Sequence, residues 1–167
     1  NAGAGLYGRV RSTLLDALRF NLAYIALVWL LLWYSAETIV GIFSASDEAA
    51  ELLLFYAHFL PGAFIFNGML FVSNASFNNL HYPYWATCFN FGRAMLGTIP
   101  AVYLGAKWYG AKGVMAGEAL GAVLFGLLAL MGAFALVRRL ERQHIIPDTG
   151  TAVELNAPES VERESPI

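Results

Sequence analysis

The chain has 167 residues, of which 58% are hydrophobic and 13% charged, with a net charge of −2 and a mean hydropathy of +0.56. So little polar surface cannot enclose that much apolar side chain in water, which excludes an ordinary soluble domain. The single cysteine excludes a disulfide framework and a cysteine-based zinc site, and the balanced charge offers no basic surface for nucleic acid.

Four apolar stretches follow one another, at about 14–35, 52–77, 84–106 and 113–137. About 20 apolar residues in a helix rise about 30 Å, the thickness of a hydrocarbon core, so each is long enough to cross a bilayer. The expected fold class is all-α integral membrane, with four transmembrane helices in residues 1–142 and a disordered cytoplasmic tail at 143–167. The tail contains Pro, Glu and Ser and has no hydrophobic period.

The first stretch is preceded or opened by Arg9, Arg11 and Arg19, and Arg138, Arg139 and Arg142 follow the last. Four crossings bring both clusters to one side, which the positive-inside rule makes cytoplasmic. Glu37, Asp47, Glu48 and Glu51 fit the opposite face, whereas Lys107 and Lys112 on that face run against the assignment. Trp29, Trp33 and Tyr34 approach the outer end of the first stretch, where an aromatic belt is expected. The segment from Ala36 to Phe43 reads as a short helical turn lying on the outer surface. Ser46, Asp47 and Glu48 read as the cap and acidic first turn of the next helix.

Pro61 and Pro100 fall inside the second and third stretches. Each removes a backbone donor and disturbs the carbonyl four residues earlier, at Ala57 and Leu96, so each marks a kink and a candidate hinge. Gly113, Gly117 and Gly121 recur every four residues in the last stretch. Four residues turn a helix by about 400°, so the three form one smooth stripe for close packing of another helix.

Polar residues inside apolar spans carry the functional signal, because they are costly there and face protein or water. Asn67, Asn74 and Asn78 lie within about 40° of one another around a helix axis, with Phe71 among them. Thr87, Asn90 and Thr98 share a side of the next span. The two stripes are candidates for the lining of a wet cavity that accepts an amphipathic solute, with interhelical hydrogen bonding as the competing use. Glu118 and Arg93 are the ionisable groups set deepest, candidates for an ion or proton role or for structural anchors. His58 lies on the opposite side of its helix from Asn67 and reads as structural. No metal or nucleophile constellation is present: no HExxH, CxxC or phosphate loop occurs.

The order of local patterns resembles one family. Asn1-Ala2-Gly3-Ala4-Gly5-Leu6-Tyr7-Gly8-Arg9-Val10-Arg11 is similar to the NxGAGxxxRvr signature of multidrug and toxic compound extrusion (MATE) transporters. Ile42-Phe43-Ser44 resembles their "lFs", and Phe77-Asn78-Asn79-Leu80-His81-Tyr82-Pro83 their "fNalGrP" turn. Arg93 with Ile99-Pro100 resembles "R…iP", and Lys112-Gly113-Val114 resembles "GxxGv". The similarity runs from about Asn1 to Arg142.

The resemblance implies helices nine to twelve of a twelve-helix, two-lobed transporter, with cytoplasmic termini in the cell (inner) membrane. It also implies exchange of protons or sodium for cationic or amphipathic compounds by alternating access, without a cofactor. The lipid bilayer, the N-terminal lobe and the rest of the C-terminal lobe would be its partners, and no catalytic role is expected. Some members hold an ion-binding aspartate near the turn between helices ten and eleven. His81-Tyr82-Pro83 stands there in this chain, so sodium coupling through that position is not expected. The alternatives are a lipid-linked oligosaccharide flippase of the same superfamily, which would need more deep basic residues than Arg93, and a non-catalytic membrane assembly subunit.

Overall fold

The computed structural model describes residues 6–44 and 46–145. The motif residues Asn1–Gly5 and residues 146–167 of the expected tail lie outside the described residues, while its first three, 143–145, continue the last helix instead of being disordered. The described chain forms helices α1 (Tyr7–Phe43), α2 (Asp47–Phe59), α3 (Ala63–Asn79), α4 (Pro83–Gly92) and α5 (Ile99–Ile145), with a π-helical segment, Arg93–Thr98, joining α4 to α5.

α1 is one unbroken helix of 37 residues. The segment at 36–43 continues it rather than forming a separate surface turn, because no proline or glycine lies between Gly8 and Gly41 to stop propagation. Ser44 ends it in the left-handed conformation, at φ 45° and ψ 43°. Ser46 stands at the N-cap position of α2 and Asp47 and Glu48 fill the first turn, although the Ser46 hydroxyl makes no capping bond.

α2 and α3 meet at an angle of 53° across Leu60, Pro61 and Gly62. Proline here does what its missing N–H requires: the regular ladder stops, and α3 restarts through tight three-residue bonds from Ala63 to Leu60 and from Phe64 to Pro61. Pro100 has a different outcome. The six residues before Ile99 widen into a π turn, in which the Ile99 amide reaches the Ala94 carbonyl five residues back.

α5 is two helical arms that meet at a kink. Gly110 sits at φ 59° and ψ −137°, a backbone conformation open to glycine alone, and the chain reverses there. Gly105 lies against Gly113, Ala101 against Gly117 and Gly97 against Gly121, which is an antiparallel register. The glycine stripe expected from sequence is therefore the seam of a hairpin between the arm ending at residue 109 and the arm of 111–145. A Cβ at Gly117 would stand 2.5 Å from the Ala101 carbonyl oxygen.

Tyr7–Phe43 and the run Pro83–Gln143 are each long and apolar enough to cross a membrane, and the bent α2–α3 pair makes a third candidate if it is taken as one span. The run of 61 residues would be about 90 Å long if straight, three bilayer cores, so the reversal at Gly110 is what fits it to a membrane.

The helices are tied together most firmly at one end. Leu14, Phe77, Leu80, Ala86, Ala133, Leu136 and Val137 are buried in one cluster, with Tyr7, Val10 and Leu140 packed on it. Phe77 stacks on Phe89 at 5.6 Å between ring centres. This cluster brings the start of α1 beside the end of α5, so Arg9 and Arg11 share an end of the bundle with Arg138 and Arg139.

Two tests follow from this packing. Gly117→Leu forces side-chain atoms into the hairpin backbone and is expected to cost about 1–3 kcal/mol or more, read as a lower Tm in detergent. His81 holds a left-handed φ of 65° at the turn between α3 and α4, where the resembling "fNalGrP" pattern has glycine. His81→Gly is expected to raise stability by about 1 kcal/mol, because a side chain in that region is strained.

Candidate functional site: the elbow and its two clefts

The α2–α3 elbow is surrounded by side chains from both neighbours. On one side, α1 approaches closely enough for the Trp29 indole ring to lie over Gly62, where a Cβ would be 2.9 Å from the ring. The Trp29 indole N–H donates to the His58 carbonyl at 2.9 Å. That carbonyl would take the Gly62 amide in an unbroken helix; here the indole replaces it. About two turns further along, the Asn21 side-chain amide donates to the Ile65 carbonyl at 3.0 Å, over Gly68. Trp33 meets the His58 ring edge-on at 4.5 Å.

Trp29 is therefore an internal donor rather than a member of an outer aromatic belt. Tyr34 fits the belt better, since it is 91% exposed. His58 faces α1, away from Asn67, as its helical position implied.

On the other side of the elbow, a cleft of about 50 Å³ separates it from the second arm of α5. Tyr56, Phe64, Asn67, Met115 and Glu118 line it. Asn67 and Glu118, 51 positions apart, thus converge on one opening. A second cleft of about 230 Å³, lined by Ile25, Val28, Leu32 and Pro61 and sharing Tyr56 and Phe64, lies between the elbow and α1.

The other candidates are dispersed. Phe71 is 68% exposed, and Asn78 is also exposed. Asn74 is half-buried, and its side-chain oxygen is buried without a partner. The Thr87 hydroxyl donates to the Pro83 carbonyl at 3.3 Å and the Asn90 amide to the Ala86 carbonyl at 2.8 Å. Both bonds are made within α4, so neither side chain ties two helices together. Thr98 lies at the hairpin seam, its hydroxyl 3.0 Å from where a Cβ on Gly121 would stand.

Arg93 opens the π segment, half-buried, with its Nε buried and unpartnered. The hairpin register sets Glu118 level with Pro100 and Arg93 level with Phe125, about 10 Å apart along the axis. Among the described residues they form no ion pair. No group of three or more His, Cys, Asp or Glu side chains among the described residues could hold a metal ion.

Lys112 pairs with Glu51 and lies 5.9 Å from the centre of the Phe55 ring. Its charge is thus met by an acid near the start of α2. Neither Asn21 nor this pair stood out in sequence. Asn21 has a periodicity signal only in hindsight, eight residues before Trp29 on nearly the same helix face.

The described residues form a helical bundle with a broken helix pair and a glycine-seamed hairpin, and the comparisons give this fold a place. The fold matches part of solved structures of the Vibrio cholerae MATE transporter VcmN. The bent form aligns with a TM-score of 0.75 and 22% identity over 85% of this chain and 32% of that one. A mutant form aligns with the same TM-score and identity over 83% of this chain and 32% of that one. A curated relative from Shewanella oneidensis, named a FAD transporter, is 29% identical over 127 residues, 76% of this chain and 28% of that protein. No family model matches the chain. These similar proteins are named transporters rather than enzymes, and the chain spans under a third of the length of each.

The Glu51–Lys112 pair is solvent-facing, with side chains 68% and 38% exposed. Glu51→Gln is therefore expected to change stability by less than about 1 kcal/mol, measured as a small Tm shift that vanishes in high salt.

Proposed function

We propose that this chain is part of a secondary active antiporter that exports cationic or amphipathic compounds in exchange for protons or sodium. The bundle crosses the bilayer four times: once each through α1, the α2–α3 pair and the two arms of the hairpin. The arginine-bearing end faces the cytoplasm of the cell (inner) membrane. The remaining helices of the transporter are its partners, and they supply the other wall of an alternating-access cavity.

The observation that carries the reading is the cleft where Asn67 and Glu118 meet beside a proline break. A carboxylate without an ion pair among the described residues, flanked by the aromatic rings of Tyr56 and Phe64 and the soft side chain of Met115, suits an organic cation with apolar substituents. The same carboxylate releases a cation when it takes up a proton, which is the elementary step of proton exchange. Asn67 supplies a neutral hydrogen-bonding group that tolerates both states.

A second reading concerns the solute. The Shewanella relative is named for FAD, an anion with a flat aromatic ring system. Arg93, half-buried, with its Nε unpartnered and no ion pair among the described residues, is a group that would favour such a solute.

The full-length protein in vesicles, with an imposed pH or sodium gradient, tests both readings. Gradient-driven movement of a fluorescent organic cation is expected, reduced about tenfold or more by Glu118→Gln, a loss of about 1.4 kcal/mol in the working interaction. Wild-type transport by Glu118→Gln would contradict the role given to that carboxylate. Transport of FAD instead, lost in Arg93→Gln and retained in Glu118→Gln, would establish the second reading.

A further inference from the structure

We infer that the α2–α3 elbow is a working joint, in which Asn21 holds α3 to α1 and Trp29 pins the pivot at the last turn of α2, while the rest of α2 swings about it. The inference deepens the transport reading, but its geometry can be tested without any transport.

The two sides of the elbow are held very differently. α3 buries Leu70, Ser73 and Phe77 and takes the Asn21 amide of α1 on its Ile65 carbonyl, whereas the Trp29 indole of α1 reaches His58 in the last turn of α2, next to the break. Gly62 and Gly68 have no side chain, which lets the Trp29 ring and the Asn21 amide reach the backbone directly. α2 buries Ala57 alone. Its far end is attached through the exposed Glu51–Lys112 pair, an interaction of a kind worth about 0–1 kcal/mol. Space exists on both sides of the joint: the apolar cleft of about 230 Å³ towards α1 and the cleft of about 50 Å³ towards α5. Tyr56 and Phe64 line both, so a swing of α2 enlarges one cleft as it closes the other.

The backbone chemistry also favours movement at this point. Pro61 cannot donate to the Ala57 carbonyl, and the His58 carbonyl is served by an indole rather than by its own helix. A change of angle between α2 and α3 therefore breaks no regular helical bond there, while the Trp29 contact can persist. Because the cleft towards α5 contains Glu118 and Asn67, the same movement sets how far that carboxylate is open to solute.

Spin-label distances in the full-length protein in lipid nanodiscs test this, in a background lacking reactive cysteines, with Cys88→Ser included. One label pair, at Glu48 and Lys107, reports α2 against the hairpin; the other, at Leu22 and Ala75, reports α3 against α1. Distances are measured without solute, with tetraphenylphosphonium and with FAD. α2 is about 20 Å long, so a swing of about 15° moves its tip by about 5 Å. The Glu48–Lys107 distances are expected to fall into two populations, redistributed by one of the solutes, while the Leu22–Ala75 distance stays fixed.

Trp29→Phe keeps the ring and removes the donor, and is expected to broaden the Glu48–Lys107 distribution. One fixed Glu48–Lys107 distance under all three conditions would overturn the inference, and so would joint movement of both pairs. A Trp29→Phe distribution superimposable on the wild type would remove Trp29 from the role. If that variant does not fold, the two wild-type pairs still decide. Two α2 populations in a protein that moves neither solute would count against the transport reading and leave the joint standing.

Discussion

In a bilayer, every backbone carbonyl and amide must find its partner within protein, because lipid offers none. Everything distinctive in this fold is a response to that constraint at three places where a helix cannot continue. At Pro61 the second helix breaks, and the His58 carbonyl is taken by Trp29 of α1. At Pro100 the helix instead widens, with the Ile99 amide reaching Ala94 across a π turn. At Gly110 it reverses, through a conformation that a side chain would forbid. Two prolines of identical chemistry thus give a sharp bend in one helix and a continuous one in the other. The difference lies in the neighbours: α1 brings a donor to the first break, whereas the second is absorbed within its own helix.

That difference arranges the candidate site. The bend at Pro61 turns α2 away from the line of α3 and opens the space in which Asn67 and Glu118 meet. The glycine seam then fixes the depth of Glu118, because the register of Gly97 with Gly121 and Gly105 with Gly113 sets it level with Pro100. Helix packing without a hydrophobic driving force depends on such close backbone approach. Here the stripe joins consecutive arms of one chain.

Composition and periodicity made the broad architecture legible. Apolar length marked the crossing segments, the two prolines marked the disturbed helices, and the four-residue spacing of Gly113, Gly117 and Gly121 marked a close seam. The arginine clusters were expected on one side, and Tyr7 and Val10 of α1 pack on the same buried cluster as Leu140 of α5. What periodicity could not convey was partnership across helices. Trp29 looked like a belt residue because its hydropathy is the same whether its N–H meets a headgroup or the His58 carbonyl. Asn21 was hidden for the same reason, since an amide facing a carbonyl 44 residues away leaves no local pattern. The asparagine stripe read as one surface because its members share a helix face. The structure separates them, with Asn67 in the cleft and Asn78 exposed, because the elbow and α5 cover only the upper part of that face.

At the Pro61 break, α1 supplies the donor that the His58 carbonyl would otherwise lack. A density map of the full-length protein in a lipid bilayer, at a resolution that shows side chains, tests it most directly. The account predicts the Trp29 indole nitrogen about 2.9 Å from the His58 carbonyl oxygen, with the ring resting on Gly62. A straight second helix, or an elbow whose freed carbonyls meet water while Trp29 turns to lipid, would contradict it.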